Sequence, residues 1–454
     1  MRALSLVGVF LFCLMRSAFG DDLLIPSLTL DDYVKVAVQK GVQGQKDAID
    51  LEIAGYTREI AFRQTDSPNF SVGHTHTRKG VNTNGFDSIS DSKQSNLTMN
   101  EVLPTGTQIQ AVTTYDDTNK PDLSASITQP IYIFVWNSVL RTRRRADLSF
   151  ANAKDNFDSL ILTLRANARS AYYDVMLGEE SIKVEERKVA SSRKLLDITQ
   201  ALVQAGKTAP VERMRAKIRE QEDERQLENA QTTYDKAIMS AKNFAFLPLD
   251  EPIHFVTTLQ FKHFDVSLHR LQEYALLHNP NLKTLHRAQD LAHLDTQTAM
   301  ETTRPQFNVK TDYNADPYTV SHGWSLQGNA SWLFFDSFVT RDAVRTARLQ
   351  ETVANLNLLD AERTVRLNVR NGYLDIKNAE KQIDTFQASR EQAIHNVEVI
   401  RLRFQNGLDR LIDVFNAEDD MRNLDNEYLN LLVSYNRSKD NLSQQVGVDV
   451  ETLK

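Results

Sequence analysis

Residues Ile161 to Gly206 contain the strongest indication of the fold, and their sequence is ILTLRANARSAYYDVMLGEESIKVEERKVASSRKLLDITQALVQAG. Apolar or small residues recur at every seventh position of this stretch, which is the periodicity of a coiled coil. These positions are Ile161, Ala168, Val175, Ile182, Val189, Leu196 and Val203. Residues 137–205 contain no proline and a single glycine, Gly178. The sequence therefore predicts one helix of about 67 residues and about 100 Å, far longer than a globular domain is wide.

The same stretch occurs a second time in the chain, 201 positions later and without a gap. The aligned segments are 129–248 and 330–449. Identical residues recur along them as Arg144 with Arg345, Arg165 with Arg366, Arg169 with Arg370, Tyr172 with Tyr373, Gly206 with Gly407 and Tyr234 with Tyr435. A duplicated unit pairs its copies around an axis or a wall, so it favours a pseudo-symmetric assembly over an enzyme pocket.

Each copy is predicted to end in a helical hairpin. The seam of the second copy is interrupted at Arg390 and otherwise consists of Val369, Ile376, Ile383, Val397 and Phe404. Gly206 and Gly407 follow the two long helices as left-handed C-caps, and Pro210 suits the first turn of the helix that comes next. A return helix with its own seam follows Gly407, at Leu424, Tyr428, Leu431, Tyr435, Ser438 and Leu442. Taken alone, this pattern is that of an ordinary antiparallel coiled coil; the duplication and the strands distinguish this chain.

Strand patterns lie at the end of each copy opposite to the hairpin turns. Alternation of apolar and polar residues occurs at 70–76 and 123–132 in the first copy, and at 307–313 and 324–335 in the second. Aromatic residues cluster at the strand ends, where a bilayer interface favours Trp and Tyr. Four strands cannot close a barrel of useful width, whereas three chains supply about twelve, so transmembrane strands imply an oligomer.

The first copy has 36 more residues than the second, all of them between Phe70 and Gln129. Two strand-like runs at 96–102 and 108–115 flank a turn that contains Pro104 and Gly106. This insertion therefore predicts an extra hairpin at about residues 95–117. The sequence leaves open whether the hairpin joins a barrel or decorates a loop.

The amino terminus has the pattern of a secretory signal. Residues 1–20 combine an early Arg2, an apolar run of about 13 residues and a small-residue ending at Gly20, after which cleavage is expected. That run is shorter than the ~20 residues of a spanning helix. The only cysteine is Cys13, so a chain cut after Gly20 has no thiol and no disulfide. A lipid anchor at Cys13 is the alternative, but Phe12 is bulky where lipoprotein signals have a small residue.

Composition argues against several function classes. The net charge of −7 over 454 residues disfavours a nucleic-acid partner. We find no Gly-rich phosphate loop, no Ser/His/Asp order and no convincing carboxylate pair, so neither catalysis nor a cofactor is expected. The histidine pairs His74 with His76 and His286 with His293 lack a third ligand in register, so no metal site is expected either.

With its signal peptide, its duplicated unit and several local phrases, the chain resembles the TolC-type outer-membrane efflux protein family. The phrases are Leu30-Asp31-Asp32-Tyr33-Val34, Leu276-Leu277-His278-Asn279-Pro280, Thr128-Gln129-Pro130-Ile131 and Leu333-Phe334-Phe335-Asp336, together with the two glycine-centred tips. The resemblance covers nearly all of the mature chain. It implies an α+β, mostly α fold, assembled as a homotrimer in the cell outer membrane. A short twelve-stranded transmembrane β-barrel is then continued by a long periplasmic barrel of coiled-coil helices.

The resulting domain prediction has three parts. Residues 1–20 are the signal peptide, 21–249 the first structural repeat and 250–454 the second. In both repeats the order is helix, strands and long helical hairpin. Strands at about 69–134 and 307–335 form the part that lies in the outer membrane.

The function that the resemblance implies is that of an exit duct. Such a duct is a passive conduit of a tripartite efflux or type I secretion system, coupled through a periplasmic adaptor protein to an inner-membrane transporter. The alternative from a different class is a non-transport periplasmic coiled-coil spacer whose strands form a small capping sheet. The sequence does not choose between efflux and protein secretion, nor does it name the substrate, the pump or the adaptor.

The hairpin tips are the candidate gate, because twofold-related copies and threefold symmetry converge there. Family members have an acidic residue six positions after each tip glycine, which Glu212 and Asp413 match. They have a basic residue two positions after the second glycine, where this chain has Asp409, with Arg410 beside it. In the second copy, family members commonly have another acidic residue three positions after the one that Asp413 matches, and this chain has Asn416 there. The tip candidates are Gly206, Glu212, Arg213, Gly407, Asp409, Arg410 and Asp413. Three Asp413 carboxylates in a ring would favour cations; alternatively, these charges only solvate an exposed tip.

A second group of candidates lies at the strand ends, where a membrane interface is expected. It consists of Trp136, Trp324, Trp332, Arg141, Arg143, Arg144 and Arg145. A basic run suits contact with anionic lipid head groups at the periplasmic face. A solvated helix start is the equally simple interpretation of the four arginines.

Overall fold

A computed structural model describes residues 27–83, 86–117, 120–132, 137–251, 253–256, 261–316 and 321–453. The predicted signal peptide and Trp136 lie outside these ranges. The first half of the chain contains β1 (Ser27–Leu28), α1 (Leu30–Lys40), α2 (Val42–Arg63), β2 (Asn69–Thr83), β3 (Phe86–Val102), β4 (Gln108–Tyr115), β5 (Pro121–Ile131), α3 (Ser138–Gln204) and α4 (Pro210–Phe244).

The second half repeats the order of helices and strands. Its elements are β6 (His254–Phe255), α5 (Leu268–His278), α6 (Pro280–Glu301), β7 (Gln306–Asp316), β8 (Ser321–Ser331), α7 (Val339–Gln405) and α8 (Leu411–Val446), followed by a 3₁₀ turn at Val450–Thr452. The fold is thus mostly helical with antiparallel strands. In the parts of the chain that the structure describes, no helix has both the length and the apolar character needed to cross a membrane.

The chain divides into two compact units, each of which draws on both halves. The hairpin unit comprises the described parts of residues 1–46, 160–275 and 367–454. The sheet unit comprises those of residues 47–159 and 276–366. The boundary of the predicted repeats, between residues 249 and 250, is a different division of the chain and stays a prediction.

The heptad seams are the core of the hairpin unit. Val369, Ile376 and Ile383 are completely buried on α7, as are Ala168 and Val175 on α3. Seven-residue spacing keeps these side chains on one helix face, so a continuous apolar seam packs against neighbouring helices. The buried aromatic side chains Tyr33, Tyr172 and Phe255 pack edge to face at one end of this core.

The interruption of the second seam has a structural explanation. Arg390 occupies a seam position of α7 and forms an ion pair with Asp425 of α8, whose side chain is buried. The guanidinium also lies 5.9 Å from the ring centroid of Tyr428. The opposite charge and the aromatic face allow an arginine where the heptad calls for an apolar residue.

Six strands form the sheet of the sheet unit, in the order β2-β3-β4-β5-β7-β8 among the described residues. All neighbours are antiparallel. The two strands of the inserted hairpin, β3 and β4, lie inside this sheet, so the insertion is neither a loop nor a decoration. The sheet therefore contains the four predicted strands together with the two of the inserted hairpin, whose place the sequence left open.

The turn of the inserted hairpin is attached to the start of α3. Asn137 donates a side-chain hydrogen bond to the carbonyl of Pro104 at 2.6 Å and accepts one from the backbone N–H of Val139 at 2.9 Å. Gly106 has φ of 83°, and a Cβ there would overlap the hydroxyl of Tyr132. The turn thus requires glycine for its backbone and for its close packing.

We expect the substitution Gly106→Ala to destabilise the sheet unit by at least about 1–2 kcal/mol, the cost of a left-handed non-glycine residue, with the overlap at Tyr132 adding to it. Gly328→Ala is the matched control, because Gly328 lies on β8 with no atom within 4 Å of the added Cβ. Thermal unfolding of both purified variants in detergent measures the difference. Equal melting temperatures would contradict the assignment of a special role to Gly106.

The last strand ends earlier than the sequence pattern suggests. β8 stops at Ser331, whereas the alternation continues to Phe335. Ser337 and Phe338 have φ of 57° and 69°, and the carboxylate of Asp336 accepts a hydrogen bond from the backbone N–H of Thr340 at 2.7 Å. The chain leaves the sheet here because this turn begins α7.

Candidate functional site at the hairpin tips

The two tips have the same backbone structure. Gly206 and Gly407 have φ of 72° and 75°. The N–H of Lys207 donates to the carbonyl of Leu202, and that of Leu408 to the carbonyl of Arg403, each at 2.9 Å. Glycine in the left-handed region with this bond is the Schellman ending of a helix. Each long helix therefore ends at an equivalent point, 201 residues apart.

A small apolar core lies directly behind the tips. Leu195, Ala216, Phe404, Leu411 and Val414 are buried together and come from all four hairpin helices. Because both hairpins contribute, the two tips of one chain are fixed to each other. The charged tip residues are thus presented from a packed base.

Asp413 caps the start of α8 in the second tip. One of its carboxylate oxygens accepts a hydrogen bond from the backbone N–H of Arg410 at 3.1 Å. This is the return half of a capping box and satisfies one free donor at the start of α8. The Asp413 side chain remains 39% exposed, and the Arg410 side chain is 84% exposed, so the carboxylate still faces solvent.

Asp409 is neutralised within its own hairpin. The Nε and Nη2 atoms of Arg403 donate to its two carboxylate oxygens at 2.9 and 3.1 Å. This bidentate pair supplies a cation beside the position where the resemblance implies one. Sequence reasoning missed Arg403, although its position, four residues before Gly407 in the last turn of the helix, was a usable signal.

The first tip carries a different arrangement of charges. Nη1 of Arg215 donates to the carboxylate of Glu212 at 2.9 Å, and the Glu212 side chain is 21% exposed. Arg213 is exposed beside it. The two acids six positions after the tip glycines are therefore not equivalent. Arg215 hydrogen-bonds Glu212, whereas Asp413 accepts from a backbone N–H, has the Arg410 guanidinium at 3.7 Å and is more exposed.

Farther from the tips, a buried ionic cluster joins three helices. The Lys188 ammonium of α3 lies 3.1 Å from the Asp223 carboxylate of α4 and 3.0 Å from the Asp419 carboxylate of α8. Arg219 contacts both acids. The Asp223 side chain is completely buried and that of Lys188 is 7% exposed. We call these four residues the Lys188 cluster.

The acids of the Lys188 cluster differ in their titration. Burial raises the pKa of Asp223, despite the opposing effect of Lys188 and Arg219. At Asp419, burial also acts to raise the pKa, but hydrogen bonds from Lys188 and Arg219 outweigh it, so the pKa is lowered. The two bases thus hold Asp419 ionised, while Asp223 depends on Lys188 for compensation of its charge.

A second buried ion pair lies at the carboxyl end of α8. Arg169 donates to Asp440 and to Asp449, both at 2.7 Å. The side chains of Arg169 and Asp440 are 16% and 8% exposed. Arg169 therefore attaches the end of the chain to α3. Neither this pair nor the contacts of Lys188 are visible in the sequence, because they join residues more than 30 positions apart.

Most of the strand-end candidates already have protein partners. Arg141 forms an ion pair with Glu301, and Arg145 with Asp295. Arg143 donates to the side chain and the carbonyl of Thr65 at 2.8 and 3.0 Å. Arg144 is exposed. Of the four arginines predicted to contact lipid, Arg144 and Arg145 are thus exposed, and Arg145 is paired with Asp295.

The two tryptophans that the structure describes, Trp324 and Trp332, are exposed. Trp324 lies on β8 and is 75% exposed. Trp332 is 59% exposed, and its indole N–H donates to the carbonyl of Thr303 at 3.1 Å. The histidines considered for a metal have other neighbours: His74 Nδ1 lies 2.9 Å from the Ser95 hydroxyl and His293 Nδ1 2.8 Å from Glu351. No group of three His, Cys, Asp or Glu is placed to hold a metal within the described ranges.

Comparison with known proteins identifies the class. The profile described as "Outer membrane efflux protein" matches residues 61–240 and 271–448, one match in each half of the chain. The chain belongs to this family. It is accordingly a TolC-type outer-membrane efflux channel with a periplasmic helical part, and not an enzyme. Channels of this family function in tripartite efflux assemblies.

Solved structures share the fold at low sequence identity. The Campylobacter jejuni CmeC outer membrane channel is 16% identical, with a TM-score of 0.70 over 92% of this chain and 86% of that one. The open state of the Neisseria gonorrhoeae MtrE outer membrane channel is 14% identical, with a TM-score of 0.71 over 93% and 89%. The Vibrio cholerae outer membrane protein VceC is 12% identical, with a TM-score of 0.69 over 92% and 96%. No relative of curated function matches the chain.

Proposed function

We propose that three copies of this chain form the exit duct of a tripartite system, with the sheet unit in the outer membrane and the hairpin tips as the periplasmic gate. A periplasmic adaptor docks at the tips and couples the duct to an inner-membrane transporter, which supplies the energy and selects the substrate. The duct itself performs no chemistry. Drug efflux and type I protein secretion both remain compatible with it.

The alternation of the sheet faces carries this proposal. Paired positions across the six strands place apolar side chains on one face, among them Phe70, Leu97, Met99, Ile109, Ala125, Ile127, Val309, Tyr313, Trp324 and Leu326. The same register places polar side chains on the other face, among them Ser71, Asn96, Asn100, Gln110, Ser124, Ser126, Asn308, Asp312, Ser325 and Asn329. A membrane barrel has this pattern, with lipid outside and water inside.

The exposure of the apolar face argues against a spacer protein. Val72 is 81% exposed, Trp324 75% and Leu326 63% in the single chain. A capping sheet would bury these side chains against helices. An apolar face of this kind requires lipid or another protein as its partner.

Exposed apolar stripes on the helices support assembly with other chains. Leu349, Val353 and Leu356 follow one another at helical spacing on α7 and are more than half exposed. Met214 and Ile218 form a similar stripe on α4, near the first tip. We assign the α7 stripe to a neighbouring protomer and the α4 stripe to the adaptor, because the tip is the end that faces the inner membrane.

Planar-bilayer recording tests the duct and its gate together. The wild-type protein, extracted in detergent as a trimer, should conduct ions, and a trivalent cation such as hexamminecobalt should block it from the tip side. We expect Asp413→Asn and Asp413→Ala each to weaken this block by about tenfold or more, since both remove three converging charges. A soluble monomer without conductance would contradict the proposed function as a whole.

The two Asp413 variants separate the charge from the helix cap. Asparagine keeps an acceptor for the Arg410 N–H, so only alanine should reduce the stability of α8, by about 1 kcal/mol. Asp409→Asn is the matched control, because Arg403 already neutralises Asp409. Unchanged block in both Asp413 variants would remove this residue from the pore.

A further inference from the structure

The inserted hairpin changes the number of strands that each chain brings to the membrane. β3 and β4 lie between β2 and β5, with continuous pairing on both sides. β2 and β8 are consequently the two free edges of the sheet. The inserted strands β3 and β4 either span the membrane with the other four strands or lie outside it.

The faces of the inserted strands match those of the rest of the sheet. Met99 lies opposite Ala111, which in turn lies opposite Ala125 of β5, and all three are on the apolar face. Asn100, Gln110 and Ser126 are opposite one another on the polar face. A hairpin outside the membrane has no reason to keep apolar side chains on the lipid side.

The inserted strands are comparable in length to the other strands of the sheet. β3 has 17 residues and β4 has 8, against 11 each in β5, β7 and β8. A tilted strand crosses a bilayer with about 9–11 residues, so β3 is long enough and β4 is about one residue shorter. Beyond the end of β4, β2 and β3 continue as a pair that carries His76, Arg78 and Lys93 on the formerly apolar face, so the apolar band ends at a common height.

The direction of the edge strands permits closure between copies. In a meander of six antiparallel strands the first and the last run in opposite directions, so β8 of one copy can pair antiparallel with β2 of the next. Unpaired edges of this length are unfavourable in lipid, where backbone groups find no water. The edges therefore need a partner strand, and a second copy of this chain offers one with matching faces.

We propose that three copies join through β2 and β8 and close an eighteen-stranded barrel, since each contributes a six-stranded sheet. This inference rests on the proposed trimeric duct. At equal strand tilt, such a barrel is about one and a half times as wide as a twelve-stranded one, and barrels of 16–18 strands leave an open aqueous channel.

Cysteine cross-linking tests which strand adjoins β8 in the assembled protein. The only native cysteine is Cys13, in the predicted signal peptide. Ser71→Cys on β2 is combined in turn with Ser325→Cys, Gln327→Cys and Asn329→Cys on β8, all on the polar face. Paired strands bring Cα atoms within the 4.4–6.8 Å that a disulfide needs. We expect at least one pair to form covalent dimers and trimers in outer membranes.

A second series uses Gln110→Cys on β4 with the same three β8 positions. In the six-stranded sheet, Gln110 is flanked by Asn100 and Ser126, so it should not cross-link to another copy. Cross-linking of Gln110→Cys to β8 would mean that the barrel closes on β4, with twelve strands. The pair Asn308→Cys with Asn329→Cys is the reactivity control, because these residues oppose each other within one chain.

The outcomes separate the two proposals. A trimer that conducts ions but cross-links through β4, or through neither strand, overturns the eighteen-stranded barrel and leaves the duct intact. A monomer without conductance overturns the duct as well. Only cross-linking through β2 supports the wider barrel.

Discussion

Replacing Lys188 by methionine should lower the free energy of unfolding of the hairpin unit by about 3–5 kcal/mol, the usual cost of breaking a buried ion pair from one side. The substitution leaves the completely buried carboxylate of Asp223 without its closest cation, and Arg219 lies farther away, at 3.5 Å. Methionine fills a similar volume, so the loss reports the charge and not a cavity. Denaturant unfolding followed by helix circular dichroism provides the measurement.

Lys183→Met is the matched control on the same helix. Lys183 is half exposed and pairs with Glu179 and Glu180 at the surface, and such pairs contribute about 0–1 kcal/mol. Because burial raises the pKa of Asp223, the loss in Lys188→Met should become smaller at lower pH, where this carboxyl binds a proton. Equal stabilities of the two variants would show that the Lys188 cluster is not a buried ion pair in the assembled protein.

The second large effect is expected at Arg169. Arg169→Met leaves Asp440 and Asp449 without the guanidinium that bridges them, and the Asp440 side chain is only 8% exposed. We expect a loss of about 3–5 kcal/mol at neutral pH, with fraying of the carboxyl-terminal segment after α8. Limited proteolysis and denaturant unfolding measure the two consequences. Arg437→Met is the control, since Arg437 pairs with Asp174 near the surface.

The pH dependence of this effect has a definite sign. Burial raises the pKa of Asp440 from 3.8 to about 6, against the lowering effect of Arg169. A carboxyl with a raised pKa in the folded state contributes stability that is fully present below pH 3.8 and is lost as the pH rises through about 6. Removing Arg169 raises this pKa further, so the variant should lose most stability above pH 6 and less below it. A pH-independent loss would point to packing instead.

The long helices, their glycine endings and the duplication could be predicted from the sequence. These features depend on local chemistry: heptad spacing defines one helix face, and glycine alone adopts the left-handed turn without cost. Both long helices have the predicted length of 67 residues. The family followed from the order and repetition of such local signals, and the match in both halves confirms it.

The place of the inserted hairpin could not be predicted. Alternation identified two more strands at 96–102 and 108–115, but strand pairing is a contact between distant segments. The structure places these strands inside the sheet and fixes their turn through Asn137 and Tyr132. The structure thus assigns all six strands to one sheet, a point that the sequence left open.

The partners of the charged residues at the candidate gate could not be predicted from the sequence either. The positions of Glu212 and Asp413 were evident from their distance to the tip glycines. Their partners were not: Arg215 hydrogen-bonds Glu212, the backbone N–H and the guanidinium of Arg410 lie beside Asp413, and Arg403 pairs with Asp409. The direction in which each side chain points on the folded helix end determines its partner.

Local patterns were sufficient to predict two long amphipathic helical hairpins, their equivalent tips, and strands with one apolar face, because periodicity and glycine act within a few residues of each other. The folded chain was needed to show which strands are neighbours, which charges are buried together and which tip carboxylate is more exposed. The strand neighbours and most buried charge pairs depend on contacts between residues far apart in the chain, where no local pattern records the partner. The tip carboxylates pair with residues three to six positions away, and the direction of each side chain on the folded helix end determines which of them they meet.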